Sequence, residues 1–326
     1  MNKYLIITSI NNPTKAVKNY AQMQGWNIVM VGDKKTPDDW DCDNIEYLSP
    51  DKQANLKFSI INELPWNQPS RANIGYLYAM EKKADSITQS DDDNIPNKFW
   101  GLPNDDQEMS IIDTNSFTNV YSNFTNEFIW PRGYPLDKIL NSKRAIESKG
   151  KLKVAIWQHL ADGDTDVDAI YRLTNNKTIS FNQRDPLALS RNTVCPFNCQ
   201  STTFFKESYV LLYLPSYITP RSSDIVRGLI AQPLLWSIER NLGFTSPTVT
   251  QERNPHNYLK DFEEEILIYL NSEKIIEIAN EAINSDYSLH ENLIKVYGSL
   301  IFNKILPDKE MDALQCWVND VLALSK

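Results

Sequence analysis

The stretch Ser86-Ile87-Thr88-Gln89-Ser90-Asp91-Asp92-Asp93-Asn94-Ile95-Pro96 places three consecutive aspartates at the end of a short β-compatible segment, ahead of a proline expected to stop regular structure. Alternate residues at a strand end point to the same side, so Asp91 and Asp93 can converge on one ion while Asp92 faces elsewhere. Carboxylate oxygens suit Mg²⁺ or Mn²⁺, and such ions commonly bind a substrate diphosphate as well. A solvated acidic turn that ends the strand is the alternative, and this stretch alone does not decide between the two.

The residues before this stretch alternate between strand and helix patterns. We predict strands at 4–8, 27–31 and 45–48, and helices at 13–24 and 70–83. Strands separated by helices form a mainly parallel sheet, with ligands at the carboxyl ends of the strands. The chain contains neither the glycine fingerprint of dinucleotide sites nor a P-loop. Both absences argue against NAD enzymes and P-loop NTPases.

The end of the chain has a different character. Apolar residues at helical spacing predict helices at 258–282, 289–305 and 311–324. We therefore expect a catalytic α/β domain at 1–254 and a helical extension at 255–326.

Composition narrows the class of protein. The chain has 326 residues with 42 acidic and 33 basic side chains, a formal charge of −9, which argues against a general nucleic-acid binder. We find no apolar stretch long enough to span a bilayer and no signal-peptide pattern. The four cysteines lack the spacing of a zinc or redox site. We therefore expect free thiols and a cytoplasmic location.

Two segments contain arginines that are candidates for binding an anion. Arg71 stands at the start of a predicted helix, where backbone N–H groups and a guanidinium attract phosphate; an ordinary helix start is the alternative. In Trp130-Pro131-Arg132-Gly133-Tyr134-Pro135, two prolines stiffen a loop around the arginine. Arg132 would contact a phosphate or carboxylate while Trp130 and Tyr134 stack on a sugar or base, unless the loop is purely structural.

Two acidic segments complete the candidates. Acids alternate from Asp162 to Asp168 without the later glutamate of a calcium loop, so we expect a helix cap or a substrate-facing loop. In the segment 221–228, either Ser223 or Asp224 caps the following helix, or Asp224 acts as a base at the acceptor side.

Several of these motifs together resemble a known family. Trp130–Pro135 is similar to a motif of the reversibly glycosylated polypeptides, the UDP-arabinopyranose mutases. A larger set of motifs resembles the STELLO-like putative glycosyltransferases more closely; it comprises Gly32–Pro37, Asn73–Ala79, Leu160–Asp164 and Asp166–Leu173. The resemblance spans about residues 4–250. It implies a glycosyltransferase-A type fold, with a Rossmann-like mixed sheet, and a nucleotide-sugar donor.

The resemblance also implies roles for individual residues. Asp91 and Asp93 match the aspartates that bind Mn²⁺ or Mg²⁺ and the diphosphate, Arg132 matches the arginine that becomes glycosylated in the mutases, and Asp224 falls where the mutases carry paired acids. This chain has Ser223-Asp224 there instead. On this hypothesis Thr8, Asn11 and Asp33 line the nucleoside pocket, and Arg71 and Asp92 are further donor ligands. His256 is either a third metal ligand or a surface histidine.

The function hypothesis is a metal-dependent transfer of sugar from a nucleotide-diphosphate sugar, first of all a UDP-sugar, to a glycan or lipid-linked acceptor. Two alternatives stay open. One is a UDP-sugar mutase that uses the same pocket without an acceptor, and the other is a non-catalytic scaffold that binds sugar nucleotides.

Overall fold

The computed structural model of the chain describes residues 1–103, 108–252 and 257–325. Within these ranges the strands are β1 Lys3–Thr8, β2 Trp26–Val31, β3 Ile45–Leu48, β4 Ser86–Asp91, β5 Asn94–Pro96, β6 Met109–Ile112, β7 Glu147–Gly150, β8 Val154–Gly163, β9 Leu187–Leu189, β10 Ser201–Phe205 and β11 Asn241–Gln251. The helices are α1 Lys15–Tyr20, α2 Pro50–Ala54, α3 Ala72–Glu81, α4 Tyr121–Phe124, α5 Ala169–Thr174, α6 Pro220–Ser237, α7 Tyr258–Ala282, α8 Leu289–Phe302 and α9 Glu310–Leu324. Short 3₁₀ helices lie at Ser59–Asn62, Pro69–Arg71, Leu136–Asn141 and Lys206–Leu212.

One mixed sheet organises the chain in the order β3-β2-β1-β4-β10-β8-β11-β9-β6-β7, with β5 paired to β11. The first four strands are parallel, whereas β10 runs antiparallel to both β4 and β8. Thr8 is in register with Val31 on one side and with Asp91 on the other. The predicted α/β class, a mixed sheet followed by C-terminal helices, is confirmed and is consistent with a glycosyltransferase-A type domain.

Strand β4 crosses the core although five of its six residues are polar. Thr88, Gln89 and Ser90 are all buried, and each side chain has a partner. Thr88 Oγ1 and Thr203 Oγ1 lie 2.7 Å apart, and Ser90 Oγ donates to the Gln200 carbonyl at 2.6 Å. Because buried polar groups cost little only when they are hydrogen-bonded, these pairs also fix β4 against β10. The strand that carries the aspartates is therefore rigidly placed.

The C-terminal helices are anchored by buried polar contacts as well as by apolar packing. Glu310 is fully buried, and its carboxylate accepts the backbone N–H groups of Ser216 and Tyr217, both at 2.9 Å. Asp320 accepts the N–H groups of Ser59 at 2.9 Å and Ile60 at 3.0 Å. Apolar residues of α7, α8 and α9 belong to the same core cluster as β1, β4 and α6.

The predicted boundary between 254 and 255 lies outside the described residues. The division into domains at 1–254 and 255–326 stays a prediction.

Two local expectations were wrong. Helix α1 covers Lys15–Tyr20 rather than 13–24, because Thr14 caps its start and the N–H groups of residues 22 and 23 bond back three residues. Helix α6 begins at Pro220 after the N-cap residue Thr219, so neither Ser223 nor Asp224 caps it.

The expectation that Pro96 stops further regular structure is confirmed, because Pro96 is the last residue of β5. The only strand partner of β5 among the described residues is β11, so the missing N–H of Pro96 breaks no ladder.

Candidate functional site

Two adjoining cavities open at the carboxyl ends of β1, β2 and β4. The first, here the Asp33 cavity, measures about 250 Å³ and is lined by Thr8, Asn11, Asp33, Arg71 and Asp92 among others. The structure thus brings together all five side chains predicted to bind the nucleotide.

The second cavity, here the acidic cavity, measures about 280 Å³. Five aspartates and two arginines line it, namely Asp91, Asp92, Asp93, Asp166, Asp224, Arg132 and Arg221. It shares Thr8, Pro69 and Asp92 with the Asp33 cavity. A ligand with a nucleoside end and a phosphate end can therefore occupy both.

Asp33 follows β2 and is 6% exposed. Its carboxylate accepts the backbone N–H of Lys34 at 2.6 Å and that of Asn67 at 2.7 Å. The side chain consequently ties the loop after β2 to the loop before α3, and both loops form walls of the Asp33 cavity.

Arg71 is almost completely buried, and its guanidinium is held by neighbouring side chains. Its Nε and Nη2 donate to Gln53 Oε1 at 2.9 and 2.6 Å, and its guanidinium stacks on Trp66 at 3.5 Å. Burial lowers the pKa of Arg71 to about 10, although the charge of Asp33 acts in the other direction. Arg71 lines the Asp33 cavity and is not among the residues that line the acidic cavity. This position suits the nucleoside end better than the diphosphate end, and its predicted role at the pyrophosphate stays a prediction.

All three aspartates line the acidic cavity, and Asp92 alone of the three also lines the Asp33 cavity. Asp92 accepts hydrogen bonds from the Ser9 hydroxyl and, at 3.0 Å, from Asn11 Nδ2, so it closes the glycine-free loop between β1 and α1. Asp93 accepts from Gln251 Nε2 at 3.2 Å. Burial raises the pKa of Asp91 well above its usual range, and the charges of Asp93 and Asp92 raise it further.

The guanidinium of Arg132 is hydrogen-bonded to other residues of the protein. Its Nε and Nη2 donate to Asp166 at 2.8 and 3.0 Å, and its Nη1 and Nη2 donate to Asp224, both at 2.9 Å. Nη1 also donates to the carbonyl of Arg221, so all five guanidinium N–H groups are in use. Burial lowers the pKa of Arg132, but the charges of Asp166 and Asp224 outweigh this effect and raise it overall. The arginine holds two carboxylates in fixed orientations at the wall of the acidic cavity.

The local sequence explains how this loop reaches α6. Gly133 has a φ of +86°, and a Cβ there would lie 2.3 Å from Ile225 Cγ2, so only glycine allows the loop to pack against the residue after Asp224. Two positions before Arg132 lies Trp130, whose Nε1 donates to Asp168 Oδ2 at 2.6 Å. Asp168 in turn caps α5 through the N–H of Tyr171 at 2.8 Å. Trp130 thus binds Asp168 and Arg132 binds Asp166. Two residues at alternate positions of one loop therefore contact two acids at alternate positions of another.

The expectation that Trp130 and Tyr134 stack on a sugar or base is wrong for this arrangement. They are only 4% and 5% exposed, and Trp130 packs edge-on against Phe128 and Tyr171. The aromatic residues of this loop belong to the core.

Asp166 and Arg221 are cavity residues that sequence reasoning did not assign. The acids at alternate positions of 162–168 were a signal for Asp166, because buried carboxylates need cationic or hydrogen-bonding partners. The partner, Arg132, lies 34 positions away in the sequence, so the signal did not identify it. The predicted ligand His256 lies outside the described residues, so its role as a third metal ligand stays a prediction.

The donor set can be tested for its fit to a divalent ion. Among the described residues, no group of three His, Cys, Asp or Glu side chains is arranged around a common point. A magnesium-type ion in a nucleotide site usually takes one or two protein carboxylates and completes its shell with phosphate oxygens and water. Asp91 and Asp93 line the acidic cavity and can supply such carboxylates. Burial raises the pKa of Asp91, and the charges of Asp93 and Asp92 raise it further.

Comparison with known proteins agrees with this geometry. The family model of the STELLO glycosyltransferases matches residues 221–325. Probable glycosyltransferase STELLO2 of Arabidopsis thaliana is 25% identical over 342 residues, covering 98% of this chain. Probable glycosyltransferase STELLO1 of the same plant is 25% identical over 346 residues, covering 99% of this chain. The chain is STELLO-like.

The STELLO-like chain spans less than half of these curated relatives, since the matches cover 44% of each. The family model begins at Arg221 and takes in α6, β11 and the C-terminal helices, so it includes Asp224. Within the described ranges, no helix is both long and apolar enough to cross a bilayer.

Proposed function

We propose that this STELLO-like chain is a metal-dependent glycosyltransferase that takes a nucleotide-diphosphate sugar, first of all a UDP-sugar, and transfers its sugar to a glycan or lipid-linked acceptor. The observation that carries the proposal is the pair of cavities that meet at Thr8, Pro69 and Asp92. One cavity offers neutral and hydrogen-bonding groups around the predicted nucleoside residues, and the other is strongly acidic.

The charge of the acidic cavity supports a requirement for metal. A diphosphate carries negative charge, and five aspartates against two arginines line the cavity. Like charges at such distances repel by several kcal/mol at low dielectric, so a diphosphate and these acids need a cation between them. Mn²⁺ or Mg²⁺ at Asp91 and Asp93 would neutralise the charge that develops on the leaving diphosphate.

The remaining residues have roles that follow from their positions. Asp224 lines the acidic cavity together with the aspartate triplet, and Arg132 fixes its orientation. It is our candidate for the group that accepts the proton of the acceptor hydroxyl, with Arg132 as the residue that positions it. Oδ1 of Asp224 accepts from Arg132 and from the backbone N–H of Ile225 at 3.0 Å, whereas Oδ2 accepts from Arg132 alone among the described residues. Oδ2 therefore keeps a lone pair that can accept a proton.

Calorimetric titration of UDP into the protein, with Mn²⁺ and with EDTA, tests the proposal. We expect binding that requires Mn²⁺, and we expect Asp91→Asn and Asp93→Asn to lose most of that dependence while the melting temperature does not fall. Asp113→Asn is the matched control, because Asp113 also follows a strand of the same sheet but is exposed and lines neither cavity.

Absence of UDP binding, or equal binding in EDTA, would overturn the metal-dependent reading. Incubation with UDP-sugars separates the alternatives. Transfer or slow hydrolysis supports a transferase, ring-form interconversion without acceptor supports a mutase, and binding without any turnover supports a scaffold.

A further inference from the structure

The acidic cavity contains a second arginine, Arg221, which occupies the first turn of α6. Its Nε and Nη2 donate to Glu265 Oε1, the former at 2.8 Å, and Nη2 also donates to the carbonyl of Val167. Nη1 makes none of the hydrogen bonds found among the described residues. Since Arg132 has no N–H left, Arg221 is the one basic side chain known to line this cavity that can still bind an anion.

Arg221 is held in one orientation by a buried carboxylate, unlike the arginine of an exposed surface ion pair. Glu265 is completely buried, and its other oxygen accepts the N–H of Ala169 at 2.8 Å and the hydroxyl of Tyr269 at 2.5 Å. The Arg221 side chain keeps 15% of its surface exposed. A guanidinium that a fixed carboxylate already holds in place loses little conformational entropy when its remaining N–H groups bind a second anion.

We infer that Arg221 is the protein's own ligand for the donor diphosphate, held in place by Glu265 of the C-terminal helix α7. The inference rests on the proposed function and adds a residue to it. It also gives the C-terminal helices a part in the site, because Glu265 lies in α7 and Arg221 in α6. Glu265 is a positioning residue here, since it acts through Arg221.

Nucleotide binding distinguishes this role from a structural one. We expect Arg221→Gln to weaken binding of UDP in the presence of Mn²⁺ by about 10- to 100-fold, the usual worth of a charge-assisted contact to phosphate. Binding of uridine, which has no phosphate, should not change. The UDP affinity of Arg221→Lys should lie between that of the unaltered protein and that of Arg221→Gln. Lysine keeps the positive charge, but an ammonium cannot bond to Glu265 through two nitrogens.

Removing Arg221 alone leaves a buried carboxylate without its partner, which can impair folding. The double variant Arg221→Gln, Glu265→Gln removes both charges and keeps the test valid. Arg240→Gln is the control. Arg240 pairs with Glu207 at 3.0 Å and lines neither cavity.

Folded Arg221 variants that bind UDP as tightly as the unaltered protein would overturn the inference while leaving the proposed function standing. An equal loss of uridine and UDP affinity would overturn it too, because it would show a structural effect. If the unaltered protein does not bind UDP with Mn²⁺, the proposed function fails first and the inference fails with it.

Discussion

The cluster of Arg132 with Asp166 and Asp224 makes a quantitative prediction for Arg132→Met, which keeps an unbranched apolar stem and removes the guanidinium and its charge. Both carboxylates are buried, with side-chain exposures of 5% and 6%, and four arginine–carboxylate bonds of 2.8 to 3.0 Å are lost. Breaking a buried ion pair from one side typically costs about 3–5 kcal/mol, because the remaining charges stay buried without a partner. With an unfolding entropy of about 2 cal/mol/K per residue over 326 residues, this corresponds to a fall in Tm of about 4–7 °C.

The loss should depend on pH. Burial raises the pKa of Asp166, but Arg132 outweighs this and holds it below its ordinary value. The stabilisation from this carboxyl is therefore present above about pH 4 and is lost as the pH falls through its folded-state pKa. In the variant, the unpaired carboxyls have raised pKa values and take up protons on acidification. The difference in stability between the two proteins should thus narrow from pH 7 towards pH 4.

Thermal and urea unfolding at pH 7 and pH 5 measure this effect. Arg144→Met is the matched control, because Arg144 is 61% exposed and lies 3.9 Å from Glu147; such pairs contribute less than about 1 kcal/mol. A Tm change for Arg132→Met no larger than that of the control would refute the reasoning. So would a stability difference that widens on acidification.

Two further outcomes follow from the same loop and its neighbour. Gly133→Ala should lower stability by about 2–5 kcal/mol in a melting experiment, because it combines a left-handed backbone with a clash at Ile225, whereas Gly101→Ala, where a Cβ meets open space, should change little. Burial raises the pKa of Asp168 to about 6, although its bonds from Tyr171 and Trp130 lower it, so this residue should cost about 3 kcal/mol of stability as the pH rises from 4 to 7. Asp168→Asn should flatten that slope in urea titrations, and an unchanged slope would show that Asp168 is not its source.

The N-terminal half of the site was predictable because local patterns determine it. Strands β1 and β2 are short, mainly apolar runs, and β4 is a short β-compatible segment that ends in the aspartates. Parallel strands bring their carboxyl ends to the same edge. Thr8, Asp33 and Asp91 therefore had to lie near one another once the strands were identified. The alternation within the aspartate triplet required only the geometry of a strand end.

The other half was not predictable in the same way. Arg132 is 34 positions from Asp166 and 92 from Asp224, and no local pattern states which acid a given arginine will meet. The prolines around Arg132 indicated a stiff loop but not which of its side chains would be buried. The helical periodicity near Asp224 suggested a cap for α6, whereas Thr219 and Pro220 begin that helix five residues earlier.

The pairing of the acids explains why the aspartate triplet, rather than the other acids of the cavity, is the expected place for a cation. Asp166 and Asp224 share Arg132, so this group of three carries a net charge of −1 and needs no further ion. The charges that act on Asp91 are those of Asp93, Asp92, Asp224 and Asp166, all of its own sign, and they raise its pKa together with burial. On the proposed function, a divalent ion bound at Asp91 and Asp93 would reduce this repulsion and give a diphosphate a counter-charge. Asp166 and Asp224 would then be the acids that Arg132 orients, and the aspartate triplet would be the acids that bind the cation.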